Sequence, residues 1–176
     1  MPEIIKYRDS LAGLSKDDLI DYCEILLRNF WTLQGNWVVE IQKKFGADLA
    51  METDGIVFGK FLEVEAHRLK KFLNLGDDMA ALAKLLGYSF GFANTEFYFP
   101  ELSDNKLMLR VTKCNMQLQR LARGDTEVLC KKAGETAGSI SKGAKVINPR
   151  IEARCLMAPP DKHPDDVWCE WEFNLI

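Results

Sequence analysis

Two stretches near the end of the chain alternate with period two, and they decide the fold class. In the first, Ile151, Ala153, Cys155 and Met157 fall on one side, with Glu152 and Arg154 on the other. In the second, Val167, Cys169, Trp171, Phe173 and Leu175 fall on one side, with Trp168, Glu170, Glu172 and Asn174 opposite. Such alternation, rich in apolar and aromatic residues, is that of half-buried strands. A turn centred on Lys162 pairs Met157 with Val167, Cys155 with Cys169, Ala153 with Trp171 and Ile151 with Phe173. Directly opposed residues have Cβ atoms roughly 4.5–5.5 Å apart. This register therefore predicts two thiols side by side on the shielded face. The connecting loop, Pro159-Pro160-Asp161-Lys162-His163-Pro164, is stiffened by its prolines. It holds His163 at one end of the cysteine pair.

Upstream the period is helical. Residues 1–14 read as an irregular lead-in. Ser15 is placed to cap a helix whose first turn carries Asp17 and Asp18. Leu19, Cys23, Leu26, Leu27, Phe30 and Trp31 follow at helical spacing. Gln34-Gly35-Asn36 predicts a break, with the pattern resuming from Trp37 to Phe45. A third helix is expected from about Asp48 to Leu73, with Phe58, Phe61, Leu62, Glu65, Leu69 and Phe72 on or near one stripe. Asp77 opens a fourth, Met79 to Leu86, stopped by Gly87. From Ser89 the pattern becomes that of strands. One runs to Phe99 before Pro100, and its partner is Lys106 to Thr112, with Leu107, Leu109 and Val111 inward. Asp104-Asn105 marks the turn between them. Cys114 is out of phase with that row and opens the segment Asn115 to Ala122. A helix from about Lys131 to Lys142, ended by Gly143, precedes the terminal hairpin. Gly134 and Gly138 within it invite close approach of a neighbouring backbone. The expected architecture is α+β: an N-terminal helical layer, then a four-stranded, mostly antiparallel sheet with one crossing helix. Residues 1–176 are expected to form a single domain, helical over about 15–87 and sheet over about 89–176.

Charge and composition remove several function classes. A net charge of −3 with no basic run gives no footprint for nucleic acid. No apolar run reaches the length of a membrane span, so no membrane partner is expected. The first residues lack the pattern of a signal peptide, and the expected location is cytoplasmic. There the five cysteines are expected as thiols, metal ligands or catalytic groups and not as structural disulfides.

Cys114, Cys130, Cys155, Cys169 and His163 form the candidate metal set. Thiolate and imidazole suit zinc, with iron as the other candidate. Their spacing contains no Cys-x-x-Cys pair, so the set depends on convergence in space. The alternative is that the cysteines pack as small apolar groups. A third reading makes Cys130 a thiolate at a helix start, aided by Lys131 and Lys132, with His163 as its base. That arrangement would serve a thiol- or metal-dependent hydrolase of a small amide-like substrate. Candidate ligand-binding residues are Trp37, Glu65, Arg68, Arg150, Asp161 and Trp171. Glu65 and Arg68 lie three apart on one helix, at ion-pair spacing.

Lys113-Cys114, Cys130-Lys131, Asn148-Pro149-Arg150-Ile151, Cys155, the proline loop and Trp168-Cys169-Glu170-Trp171-Glu172-Phe173 resemble an uncharacterised prokaryotic family, a domain of unknown function, over nearly the whole chain. In that family the second cysteine often sits in a Pro-Cys-Lys-Pro setting, which here reads Leu129-Cys130-Lys131-Lys132. An Asp-Gly-x-Trp pattern appears here as Gln34-Gly35-Asn36-Trp37. More distantly, the chain's end is similar to L-2-amino-thiazoline-4-carboxylate hydrolase-like proteins and to four-vinyl-reductase-type small-molecule-binding domains. The residues and the resemblance together point to a module binding a small molecule or metal ion through the C-terminal cysteine cluster. The helical face also suits a homodimer.

Overall fold

A computed structural model describes residues 7–122, 124, 130–131 and 139–176. The chain divides into two compact units, Met1–Glu40 and Ile41–Ile176. Ten elements are described: α1 (Tyr7–Ala12), α2 (Lys16–Phe45), α3 (Ala47–Phe72), α4 (Met79–Tyr88), β1 (Thr95–Leu102), β2 (Lys106–Cys114), α5 (Asn115–Ala122), α6 (Ser139–Ile147), β3 (Ile151–Met157) and β4 (Cys169–Leu175). The fold is α+β, with helices first and a four-stranded antiparallel sheet after them.

In the first unit, part of the expected irregular lead-in is the short helix α1. Tyr7 and Tyr22 join α1 to α2 through their hydroxyls, 2.7 Å apart. Ser15 caps α2 as expected. Its Oγ accepts from the Asp18 amide at 3.1 Å, while Asp18 Oδ2 accepts from the Ser15 hydroxyl at 2.6 Å. That reciprocal arrangement satisfies amides a helix start otherwise leaves open. The expected break at Gln34-Gly35-Asn36 is absent, and α2 runs through it. One interior glycine costs a helix only about 1 kcal/mol, too little to stop a long one. The helix stops at Gly46, whose φ of 90° lies in the region glycine enters without a Cβ penalty.

In the second unit the sheet order is β1-β2-β4-β3. α4 packs on β1 and β2, α6 packs on β3, and α3 packs on α4 and α6. The core holds Leu82, Leu107, Leu109, Ile151 and Phe173, all fully buried. α4 begins at Asp78, not Asp77, because Asp78 Oδ1 accepts from the Ala81 amide at 2.7 Å. It runs past Gly87 to Tyr88. Phe72, expected on the inward stripe of α3, is 79% exposed. Lys70 on the same helix places Nζ 3.0 and 2.8 Å from the Val146 and Ile147 carbonyls, a cation closing the C-terminal end of α6.

Of the expected helix over 131–142, the described residues 131 and 139–142 are helical. Lys131 is helical, Gly134 and Gly138 lie outside the described residues, and α6 continues through Gly143 to Ile147. Gly143 itself is where α6 approaches α3: a Cβ there would stand 3.8 Å from the Leu62 carbonyl oxygen.

β1 begins at Thr95 and continues past Pro100 to Leu102. Pro100 is tolerated because β1 is an edge strand and its ladder is irregular between Tyr98 and Glu101. A second irregularity resets the site. Glu96 pairs with Lys113 and Phe97 with Val111, leaving Thr112 as the extra residue. Such a bulge reverses the alternation beyond it, so Cys114 turns inward although it is out of phase with Leu107, Leu109 and Val111.

Candidate functional site

From Ile151 to Cys155 the terminal hairpin is offset from the expected register by two residues, and beyond an irregularity after Cys155 the expected partner of Met157, Val167, is replaced by Glu170. Ile151 pairs with Leu175, Ala153 with Phe173 and Cys155 with Trp171. A two-residue slip keeps every side chain on its face, whereas a one-residue slip inverts them all. Alternation alone therefore could not choose between the two registers. Cys155 and Cys169 are consequently not a directly opposed pair: Cys155 faces Trp171, and the ladder is irregular just beyond it.

Cys169 opens β4 opposite Val111 of β2. Cys114 ends β2 opposite Thr95 and immediately precedes α5. Its sulfur accepts hydrogen bonds from the backbone amides of Met116 and Gln117, so it occupies a helix N-cap. The fourth thiol, Cys130, accepts from Gln117 Nε2 at 3.1 Å. Gln117 is 1% exposed and thus links two of the cysteines, one through its backbone and one through its amide. The next residue is fastened to the proline loop: the Lys131 amide donates to the Pro159 carbonyl at 3.0 Å, and Lys131 Nζ lies 2.7 Å from Asp161 Oδ2. Lys131 holds the Asp161 carboxyl below its ordinary range.

The thiols sense one another. Burial raises Cys114 against the pull of its two amides. Burial first, then the Cys114 thiol, push Cys130 up to about 12, with Asp54 and Cys155 adding and Gln117 opposing. Cys169 is raised by burial, then by Cys130 and Cys114, with Cys155 adding and a hydrogen bond from Trp171 opposing. All five cysteines are free thiols. Burial and the neighbouring thiols oppose the expectation that Cys130 is a readily formed thiolate. Cys130 as a residue is only half-buried, but its sulfur is largely withdrawn from water, and Lys131 is engaged by Asp161. Cys114 stands at the start of α5, and Cys130 is itself in a helical segment with Lys131. Among the described residues, no three His, Cys, Asp or Glu side chains stand in a ready-made ligating array.

The other candidates are dispersed. His163 lies against Trp168, with ring centroids 5.0 Å apart, and its Nδ1 is 2.9 Å from the Pro164 carbonyl oxygen. Trp171 is buried within the core beside Cys155. Arg150 is exposed, at the far end of β3 from Cys155. Trp37 belongs to the first unit and is exposed.

Glu65 and Arg68 do not face each other. Arg68 is exposed, while Glu65 turns inward to accept from the Ser89 hydroxyl at 2.6 Å and the Phe90 amide at 2.7 Å. Glu65 and Ser89 help line a cavity of about 20 Å³ between α3, α4 and α6, room for about one water. Burial raises the Glu65 carboxyl in spite of its two donors. A carboxyl raised on folding contributes stability below its unfolded value, and that contribution is lost as pH rises through the folded value. Glu65→Gln, which mimics the neutral form, is expected to raise the unfolding free energy from urea titration at pH 7 by a fraction of about 1 kcal/mol. The gain should vanish near pH 4. A loss of stability at pH 7 would show that the two charge-assisted bonds outweigh desolvation.

Residues 12–175 match the model of a family of unknown function, DUF6125. The chain belongs to that family. No curated protein and no solved structure matches it. No helix among the described residues of this DUF6125 member is long and apolar enough to cross a membrane.

Gln117, Asp54 and the Lys131–Asp161 pair escaped the sequence reading. Only Gln117 left a trace, standing three residues after Cys114 at capping-box spacing. The electrostatic effect of Asp54 on Cys130 joins residues distant in sequence and has no local signature.

Proposed function

We propose that this DUF6125 chain is a binding module that takes a soft metal ion, zinc or iron, between Cys114, Cys130, Cys155 and Cys169. The observation that carries this reading is that four thiols from separate segments come together: Gln117 bridges Cys114 and Cys130, Cys130 is raised by Cys114 and Cys155, and Cys169 by Cys130, Cys114 and Cys155. Simple apolar packing asks only for small side chains and gives no reason to gather four sulfurs at one end of a sheet. Thiolates are the ligands that suit such ions, and four of them complete a tetrahedral site. Binding would require rotation of the side chains into a ligating array and release of the thiol protons, so affinity rises with pH. Gln117 and the amides at the start of α5 would then donate to the ligand sulfurs, as outer partners commonly do. His163 stays outside the proposed set, since its ring is engaged by Trp168 and the Pro164 carbonyl.

A hydrolase has less support, because thiols raised by burial are protonated near neutral pH and a nucleophile must be the thiolate. The faint likeness to small-molecule-binding domains agrees with a binding role and contributes no residue. Cobalt(II) is a suitable probe, since its thiolate complexes absorb strongly. The expected result is a charge-transfer band saturating at about one ion per chain, displaced by zinc. The band should be lost in Cys114→Ser and Cys169→Ser and kept in Cys23→Ser. Absence of the band at pH 8, together with no thermal stabilisation by zinc, would refute the site.

A further inference from the structure

The sheet ends at β3, and the outer side of that strand presents unpaired backbone. Residues of an antiparallel strand point their N–H and C=O groups alternately to one neighbour and to the other. Two bonds fix the phase here. The Leu175 amide donates to the Asn105 carbonyl, on the β2 side, and the Ile176 amide donates to the Arg150 carbonyl, on the β3 side. Leu175 and Phe173 therefore turn their backbone groups toward β2, while Asn174 and Glu172 turn theirs toward β3. Glu152 and Arg154, opposite Asn174 and Glu172, are the β3 residues that bond β4. The Ala153 N–H and C=O then point away from the sheet, and neither has a hydrogen-bond partner among the described residues. Ala153 is half-exposed, and Glu152 and Arg154 on either side of it are exposed. Neither charged side chain forms an ion pair among the described residues; the Glu172 carboxyl beside Arg154 is lowered first by Asn174, then by Lys106, and least by Arg154. The opposite edge of the sheet is blunted. β1 carries Pro100 and two irregularities in its ladder, features that discourage further pairing. β3 has neither from Ile151 to Cys155.

We infer that a second copy of this chain pairs with β3 edge to edge, antiparallel, with the two-fold axis at Ala153, so that two four-stranded sheets become one continuous sheet. Charge and backbone phase choose the occupant and its register. Opposed residues must both point their backbone groups outward or both point them inward, so the axis falls on a residue and not between two. An axis at Glu152 or at Arg154 sets like charges directly opposite each other, which is destabilising. An axis at Ile151 needs an amide that is already donated to the Asn148 carbonyl at 3.0 Å. An axis at Cys155 sets Arg154 opposite Leu156 and leaves both charges unmatched. An axis at Ala153 lets the two Ala153 residues exchange both of their hydrogen bonds. It also sets Glu152 opposite Arg154 of the other copy, twice, and opposite charges at such positions attract. The small alanine keeps bulk away from the axis. The same strand used twice is the isologous contact that a two-fold dimer requires.

The test uses the full chain with a chelator and a reductant present, which separates it from metal bridging and from the cysteine cluster. Sedimentation equilibrium at tens of micromolar should give a dimer. Glu152→Arg alone and Arg154→Glu alone each turn two attractive contacts into repulsive ones, and each should weaken self-association at least about tenfold. Mixed in equal amounts, the two variants should form a heterodimer about as tight as the wild-type dimer, because every charge then meets its opposite. Hydrogen exchange at the Ala153 amide should slow as the wild-type concentration rises, and should stay fast in either variant alone. A monomeric wild type would overturn the proposal, leaving this edge to a strand of a different protein. A dimer that neither variant weakens, or a mixture of the two that stays monomeric, would overturn the register. A dimer whose Ala153 amide exchanges as fast as in the monomer would place the contact elsewhere and overturn the proposal as well. The exchange measurement is made on the wild type, so it decides even where a variant fails to fold.

Discussion

Phe173→Ala is expected to destabilise the chain by about 3–5 kcal/mol, the cost of emptying a large aromatic site in a packed core. Phe173 has no exposure, and its strand lies between β2 and β3, where it pairs with Leu107 on one side and Ala153 on the other. Those neighbours are held by ladders on both flanks, so they have little freedom to collapse into the void, and the cost falls at the upper part of the range for such changes. Urea unfolding at pH 7 measures it, with the transition followed by tryptophan fluorescence. A loss below about 1.5 kcal/mol would mean that Phe173 does not sit at the centre of the sheet. In the register expected from alternation, Phe173 opposes Ile151 near the end of the ribbon, and truncation there would be milder.

That contrast shows how far the sequence could be read. Alternation identified the two strands of the terminal hairpin and their inward faces correctly, because face is a period-two property. It missed the pairing by two residues from Ile151 to Cys155, because a shift of two leaves every face unchanged, and it could not foresee the irregularity that sets Met157 opposite Glu170. The loop did not settle the matter either. The loop spans Ala158 to Trp168 and is fastened elsewhere: the Trp168 amide donates to the Val111 carbonyl of β2 at 2.8 Å. The same limit explains Cys114. Its inward turn depends on Thr112 being the extra residue opposite β1, a property of the pair of strands and not of either alone. Gly35 is the opposite case, a strong local signal overridden by the length of the helix around it. For the candidate site, the convergence of Cys114, Cys130 and Cys169 was legible only as a guess from their number and compartment. What decides their chemistry was not legible, because burial and the Gln117 bridge come from residues distant in sequence.

The second large effect concerns which thiols react. In the metal-free chain at pH 7.5, iodoacetamide is expected to label the exposed Cys23 first and to modify the buried Cys114 and the half-buried Cys130 and Cys169 far more slowly while the chain is folded. For Cys130, raised from 9.0 to about 12, ionisation alone lowers the reactive thiolate fraction about a thousandfold relative to an ordinary thiol. Restricted access would slow the reaction further. Peptide mapping after timed labelling gives the individual rates. The same shifts fix a pH dependence, and its sign follows from linkage. These folded-state values are raised, so the stability they contribute is complete below the unfolded value near 9. It is lost as pH climbs through the folded values, because the unfolded chain releases protons that the folded chain retains. Stability should therefore fall between about pH 9 and 12, by up to about 1.4 kcal/mol per pH unit for each thiol concerned. Cys114→Ala should flatten that fall, since it removes one titrating sulfur and eases Cys130 and Cys169, both of which it raises. Rapid labelling of Cys130 in the folded chain would contradict the shielding from which all of this follows. It would also return the nucleophilic reading to first place, because a thiol that reacts while buried must have an ionised form supported by its surroundings.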